Sequence, residues 1–449
     1  MNITMITRTG YILNENSELK KELTVRPNVN NEFGFPPPPF KVFRCHNKKM
    51  CIPQFYDIEK FGNDIKDTRP EPAKMTSGIN FVGKLNEKTR QPEAFSAGIK
   101  SGCGILSLPC GYGKTTVALA IACNLGYRTM IMVHKEFLAN QWRERIEQFC
   151  PGAKVGIVQR DKVEVEGYDF VIAMLQTMSQ KEHQLSDFES IGTLIVDEAH
   201  HICARVFSQS LFKLCPRHTY GLSATPIRKD GLTRVLHWFL GPTFFVIDRD
   251  SQGDVVVNVV KYEHSRFREP PPCNRIGKLS LVEMITNLVE MPERNKLIVK
   301  IIKKASKGSR QILVLSDRRN HCIELQSSFQ DISGLYMGGM SEDDLSASSK
   351  KKIIFGTFSQ AHEGLDIPTL DTLVMVTPKT DVKQSVGRIL REVAGKKNAP
   401  QIWDIYDQWS ILHAMQKKRL GVYKSEGFVV RGYEDDEPQD EKMSGFLFI

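Results

Sequence analysis

Between Leu108 and Thr116 the chain reads Leu-Pro-Cys-Gly-Tyr-Gly-Lys-Thr-Thr, residue types that in this order can hold a phosphate. Gly111 and Gly113 let the backbone approach an anion, Lys114 can pair with β- and γ-phosphates, and the Thr115 hydroxyl can ligate Mg²⁺. Pro109, Cys110, Tyr112 and Thr116 complete the segment around them. Leu108, however, stands where the common G-x-x-x-x-G-K-[ST] pattern has its first glycine. Further on, TLIVDEAHH closes an apolar run with Asp197 and Glu198. Adjacent carboxylates at a strand end are costly to keep unless a cation or a water needs them. Asp197 suits holding Mg²⁺, usually through water, and Glu198 suits orienting and deprotonating an attacking water.

These groups need elements to position them. GILSLP before the glycines reads as a strand and TTVALAIACNLG after them as a helix, an order that aims backbone N–H groups and a positive helix end at an anion. The runs TMIMVH, DFVIAM, TLIVDE and HTYGLSAT alternate with helical stretches, the pattern of a doubly wound parallel sheet with ligands at the strands' carboxyl ends. A second α/β series follows: QILVLS, GLYMGG, KKIIFGT, TLVMVT and QIWDIY. The expected organisation is a small β-containing domain over 1–78, α/β domains over 79–250 and 291–430 with a linker over 251–290 between them, and an acidic tail over 431–449.

Composition sets the class. At 449 residues, with 41% hydrophobic and 25% charged residues, the chain can build two or three buried cores. No apolar run is long enough to span a membrane, and MNITMITRTG lacks the pattern of a secretory signal, so a soluble intracellular protein is expected. Its 10 cysteines include no C-x-x-C pair, and Cys45, His46 and Cys51 form the only tight cluster, short of a zinc ligand set. The net charge of +9 suits a polyanionic partner. Basic clusters such as Lys303-Lys304 and Lys350 to Lys352 read singly as solvated helix faces.

Asp197-Glu198-Ala199-His200 matches the D-E-A-H motif of superfamily 2 helicases, whose phosphate loop reads A-x-x-G-x-G-K-T, so Leu108 no longer counts against the site. Further motifs of that family follow in order. Gln91 occupies the place of the glutamine that recognises adenine, and MVHKEFLANQW resembles the segment contacting nucleic-acid phosphates, with His134, Lys135, Gln141 and Trp142 as candidates. For Trp142, packing on the sheet is an equal reading. Ser223-Ala224-Thr225-Pro226 matches the S-A-T motif that couples nucleotide state to domain movement. GTFSQAHEGLDIP resembles motif V, with Thr357 toward nucleic acid and Glu363, Gly364 and Asp366 toward nucleotide. QSVGRILRE, from Gln384, matches Q-x-x-G-R-x-x-R, and the resemblance makes Arg388 and Arg391 arginine fingers, placed on one helix face by their spacing.

GLSATPIRKDGL resembles the branch containing XPB and UvsW, and SLPCGYGKT with LDIPTLDTLVMVTP is similar to helicases of large cytoplasmic DNA viruses, including the poxvirus transcript-release factor. The resemblance implies tandem RecA-like domains, ATP and Mg²⁺ as cofactors, and a motor on nucleic acid, DNA ahead of RNA, tracking 3′ to 5′. It also implies transcription or replication proteins as partners, and the cytoplasm of an infected cell or the virion if viral, the nucleus otherwise. A duplex translocase that does not separate strands shares the same motor. An unrelated P-loop kinase would explain Gly111 to Thr115 but not QSVGRILR, and a non-catalytic scaffold conflicts with intact Lys114, Asp197, Glu198, Arg388 and Arg391.

Overall fold

A computed structural model describes residues 3–28, 37–56, 65–109, 111–200, 207–224, 230–247, 255–275, 277–363, 365, 367–390, 396 and 398–433. The chain divides into two compact units, Met1–Asp248 and Arg249–Ile449.

In the first unit, apolar runs form an eight-stranded sheet: β1 (Cys103–Ser107), β2 (Thr129–Val133), β3 (Val155–Gln159), β4 (Lys162–Val163), β5 (Phe170–Met174), β6 (Thr193–Val196), β7 (His218–Ser223) and β8 (Thr243–Val246). Every residue of β2, β5 and β6 is buried, as expected of strands covered on both faces. The strand order is β4-β3-β5-β2-β6-β7-β1-β8, and only the β3–β4 pair is antiparallel. Adjacent registers bring the strand ends level: Ser107 opposite Ser223, Val196 opposite Gly221 and Val196 opposite Met132. The segments after β1, β2, β6 and β7 therefore emerge on one edge, where parallel α/β sheets bind ligands.

Residues 1–78 do not stand apart. Their sheet runs Arg44–His46, Lys49–Ile52, Gly10–Asn14, Ile3–Thr7 and Lys66–Asp67 in spatial order. Asn47 and Lys48, at φ 48° and 58°, turn the first hairpin in the left-handed pair of conformations that matches strand twist. The core around Leu13, Met50 and Ile52 takes in Cys215 and Trp238 from the α/β part. Buried Gln54 ties the two together, donating from Nε2 to Thr219 Oγ1 (3.0 Å) and Phe239 O (3.3 Å) while Cys215 Sγ donates to its Oε1 (2.9 Å).

The second unit is a seven-stranded, all-parallel sheet: β9 (Val256–Tyr262), β10 (Ile312–Ser316), β11 (Ser333–Tyr336), β12 (Ile353–Thr357), β13 (Thr372–Met375), β14 (Gln401–Asp407) and β15 (Val429–Tyr433), ordered β11-β12-β10-β13-β14-β9-β15. Here the structure corrects the expected linker. Residues 256–262 are a strand between β14 and β15, and Leu281–Val289 is a helix, capped by Ser280, that buries Met284, Ile285, Leu288 and Val289. Both strands that pair with β9 lie far along the chain, so local composition, dominated by the nearby Pro270 to Pro272, does not reveal it. Among the described residues no helix is long and apolar enough to cross a membrane.

Candidate nucleotide site

The phosphate loop begins where β1 ends. Leu108 is fully buried and its N–H donates to Ser223 O (3.3 Å), so this position extends the β1–β7 pairing into the core. An apolar side chain packs where the commoner loop has glycine. Gly111 and Gly113 take φ of 87° and 78°, left-handed values that glycine adopts without penalty. At Gly113 a Cβ would also come within 2.3 Å of Gln91 Nε2. Gln91 is 6% exposed; it donates to Tyr112 O (3.0 Å) and accepts from Asn86 N–H (2.9 Å), bracing the loop from behind.

Lys114 opens the helix α1 (Lys114–Leu125), whose Gly113 cap offers no side-chain acceptor, leaving first-turn N–H groups free to meet an anion. The helix is held in place by burial of every residue from Val117 to Ala122. Lys114 Nζ curls back to donate to Leu108 O (3.2 Å), and Thr115 and Thr116 are half-buried in the first turn.

The carboxylates follow β6. Asp197 N–H donates to Met132 O (3.0 Å), continuing the β6–β2 ladder by one residue. Its Oδ1 accepts from Glu198 N–H (2.9 Å) and its Oδ2 from Trp142 Nε1 (2.9 Å). Burial, reinforced by the neighbouring Glu198 charge, pushes the Asp197 carboxyl up to about 6, while the Trp142 hydrogen bond and the Lys114 ammonium pull the other way. Glu198 sits at φ 45°, a left-handed conformation that costs a non-glycine residue energy and recurs at functional sites. Among the described residues its Oε2 is buried without a hydrogen-bond partner, and His200 Nδ1 lies 3.4 Å from it. The same Nδ1 lies 3.4 Å from Ser223 Oγ, so His200 stands between the D-E-A-H and S-A-T segments.

A carboxylate with one hydrogen bond per oxygen and a threonine hydroxyl at a helix start offer oxygen ligands that fit Mg²⁺ together with phosphate oxygens, and the lysine nearby can share the phosphate charge. Among the described residues no three His, Cys, Asp or Glu side chains converge on one point, so a metal held here would depend on the nucleotide for its remaining ligands.

In the segment after β2 the structure corrects the expectation for His134 and, of the two readings open for Trp142, favours packing. His134 and Trp142 are 6% and 1% exposed, which withdraws both from direct contact with a strand. His134 O accepts from Gln176 Nε2 (2.6 Å), and Trp142 reaches Asp197 from the helix α2 (Glu136–Phe149). Lys135, just before that helix, and Gln141 on it are half-buried, and burial lowers the Lys135 ammonium. In the second unit Thr357 closes β12, its hydroxyl 3.2 Å from Ser359 Oγ. Gln384 and Arg388 lie on the helix Lys383–Ile389, and Arg388 Nη1 donates to Leu365 O (2.9 Å). Cys110, Thr225, Gly364, Asp366 and Arg391 lie outside the described residues. The sequence reading missed the role of Trp142 toward Asp197. The available signal was an indole N–H on a helix set to be buried, since such a group generally finds an acceptor.

A glycine loop running into a helix, with adjacent carboxylates on the next strand end but one, is an edge that can bind the phosphates of a nucleotide and a cation, as in nucleotide-hydrolysing α/β proteins. The family described as type III restriction enzyme, res subunit, matches residues 84–228. L396 of Acanthamoeba polyphaga mimivirus, named as a candidate ATP-dependent RNA helicase, is 31% identical over 466 aligned positions covering 98% of this chain and 88% of that protein. The candidate helicase 161L of Invertebrate iridescent virus 6 is 27% identical, covering 93% of this chain and 96% of its own. A solved structure of the Mycobacterium smegmatis helicase Lhr shares the fold at TM-score 0.52 and 17% identity, over 74% of this chain and 48% of that one. The chain belongs to this viral family of superfamily 2, ATP-dependent nucleic-acid helicases.

Proposed function

We propose that the chain is a helicase or translocase acting on DNA in the 3′ to 5′ direction, coupling ATP hydrolysis to strand separation or transcript displacement. The observation that carries the reading is the meeting of Lys114, Asp197, Glu198 and His200 on one sheet edge, with His200 within 3.4 Å of both Glu198 and Ser223. In this reading Lys114 and the α1 N–H groups bind the phosphates, Gln91 shapes the loop beside the adenine, and Thr115 with Asp197 holds Mg²⁺. Bound there, Mg²⁺ would neutralise charge on the phosphate oxygens. Glu198 takes a proton from the attacking water, its Oε2 accepting no hydrogen bond from the described residues. His200 relays the state of this carboxylate to Ser223 and Thr225. By the family resemblance Gly364 and Asp366 would serve nucleotide binding, and Arg388 and Arg391 would stabilise the charge building on the transferred phosphoryl group, a contribution of about 10³–10⁵ in rate. Lys135, Gln141, Thr357 and Gln384 contact the strand, mainly at phosphate, so binding should be salt-sensitive and largely blind to sequence.

The name of the mimivirus relative favours a second reading, an RNA helicase. Unwinding of paired DNA and RNA duplexes with 3′ or 5′ overhangs, at fixed salt, tests both. The proposal expects ATP-dependent displacement on 3′-overhang DNA that Lys114→Ala abolishes. Activity confined to RNA would move the function to the second reading, and displacement only from 5′ overhangs would reverse the direction.

A further inference from the structure

Asp197 is held from two sides by one βα unit. Its backbone N–H donates to Met132 O in β2 (3.0 Å), and its Oδ2 accepts from the indole of Trp142 on α2, the helix that follows β2. Trp142 is 1% exposed and packs in the cluster formed by Val133, Leu138, Ile146, Ile172 and Ile195, so its ring has little freedom. An indole N–H is a neutral donor with no acceptor function. It can fix the rotation of a carboxylate without competing, as a lysine would, for the place of a metal. With Oδ1 bound by the Glu198 N–H at 2.9 Å and Oδ2 by Trp142 at 2.9 Å, both C–O directions are set before any ligand arrives. Each oxygen keeps a lone pair for a metal or its water.

We infer that Trp142 is a positioning residue for the Mg²⁺ site, orienting the Asp197 carboxylate through its indole N–H. The inference rests on the reading of Asp197 as the Mg²⁺-side carboxylate and goes beyond it by naming what holds that group. Partners that orient a metal-binding group typically alter metal affinity or activity about 10–100-fold when removed. Trp142 therefore acts on the metal-dependent part of nucleotide binding, whereas a residue that merely packs the core would affect binding with and without metal alike.

The test uses the full chain and a fluorescent ADP, titrated once in saturating Mg²⁺ and once in EDTA, with melting temperature recorded in parallel. Trp142→Phe fills most of the ring's place without the N–H. It should weaken ADP binding in Mg²⁺ by about 10-fold, leave binding in EDTA as in wild type, and raise the Mg²⁺ concentration for half-maximal ATP turnover by a similar factor. Incorporation of benzothienylalanine at position 142, which puts sulfur in place of the N–H at nearly unchanged shape, carries the same expectation if Trp142→Phe does not fold. Asp197→Asn serves as the reference for loss of the metal-dependent part. Unchanged Mg²⁺ dependence in the Trp142 variants, alongside its loss in Asp197→Asn, would overturn the inference alone. Equal weakening in Mg²⁺ and EDTA would overturn it in favour of plain packing. A wild type that binds ADP identically in both, or an Asp197→Asn variant that keeps the difference, would instead remove the Asp197 reading and the inference with it.

Discussion

The two units place their charges in opposite ways. In the first, Asp197 and Glu198 sit side by side at the carboxyl end of the sheet, Glu198 in a left-handed conformation with Oε2 accepting no hydrogen bond among the described residues. In the second, charge is turned inward and matched. Arg294 and Asp407 are both 0% exposed and joined by two hydrogen bonds, Nε to Oδ1 (2.6 Å) and Nη2 to Oδ2 (2.9 Å). Asp404 Oδ2 accepts from Arg419 Nε (2.9 Å), Gln416 Nε2 (3.3 Å) and Tyr423 Oη (2.9 Å). Like charges kept adjacent belong to a ligand still to come, whereas opposite charges buried together belong to the fold. On the proposed function the same residue types serve chemistry in one sheet and architecture in the other, and the geometry of their partners is what separates them.

That contrast is breakable by substitution. Glu198→Gln should cut ATP turnover by about 10²–10⁴-fold, the usual span for a general base, with melting unchanged or slightly raised because one of two adjacent charges is gone. A matching loss of stability, seen by circular dichroism, would put Glu198 with the structural charges. Arg294→Met should do the reverse in kind: strand the buried Asp407 charge and destabilise the second unit by about 3–5 kcal/mol. Urea unfolding would measure it, and Arg294→Met with Asp407→Leu should recover much of the loss. If the single variant melts like wild type, the buried pair is not structural.

A smaller effect reads the second unit's interior through pH. His321 is buried with Nδ1 3.0 Å from Ser316 Oγ and Nε2 3.1 Å from Asn295 Oδ1. Because Asn295 Nδ2 is committed to Val289 O (2.8 Å) and Glu324 Oε1 (3.1 Å), the imidazole donates from Nε2 and accepts at Nδ1 as a neutral ring. Burial, helped by the Arg294 charge, pushes it down from 6.5 to about 3. The unfolded chain therefore takes up this proton near pH 6.5 and the folded one only near 3, so its contribution is full above 6.5 and is lost as pH falls toward 3. Between these limits the cost is about 1.4 kcal/mol per pH unit. His321→Gln should flatten the fall in melting temperature between pH 7 and 5. An unaltered slope would mean that this histidine is charged in the folded state.

What the sequence made legible follows from distance along the chain. The helix that Lys114 opens and the strand that Asp197 and Glu198 follow are local: a few neighbours define each of them. The parallel sheets were legible too, because strands such as Phe170–Met174 are apolar throughout. Less was visible where meaning depends on a remote partner. Trp142 stands 55 residues before Asp197, and only the fold shows that its N–H ends on that carboxylate. Gln54 reads as an ordinary loop residue until Thr219 and Phe239 come beside it. His134 carried a motif's letter but is only 6% exposed, since residues ending a central parallel strand are covered on both faces. The strand at 256–262 fails for the same reason, its partners arriving only at Gln401–Asp407 and Val429–Tyr433.

On the proposed function the nucleotide edge of the first unit turns over ATP in response to nucleic acid. Steady-state ATP hydrolysis by the full chain, titrated with single-stranded DNA and with RNA at fixed salt, tests it most directly. The expected result is a saturable rise in rate with at least one of them, and no turnover at any concentration in Lys114→Ala. A wild-type rate indifferent to both nucleic acids, or a Lys114→Ala variant that still hydrolyses ATP, would contradict it.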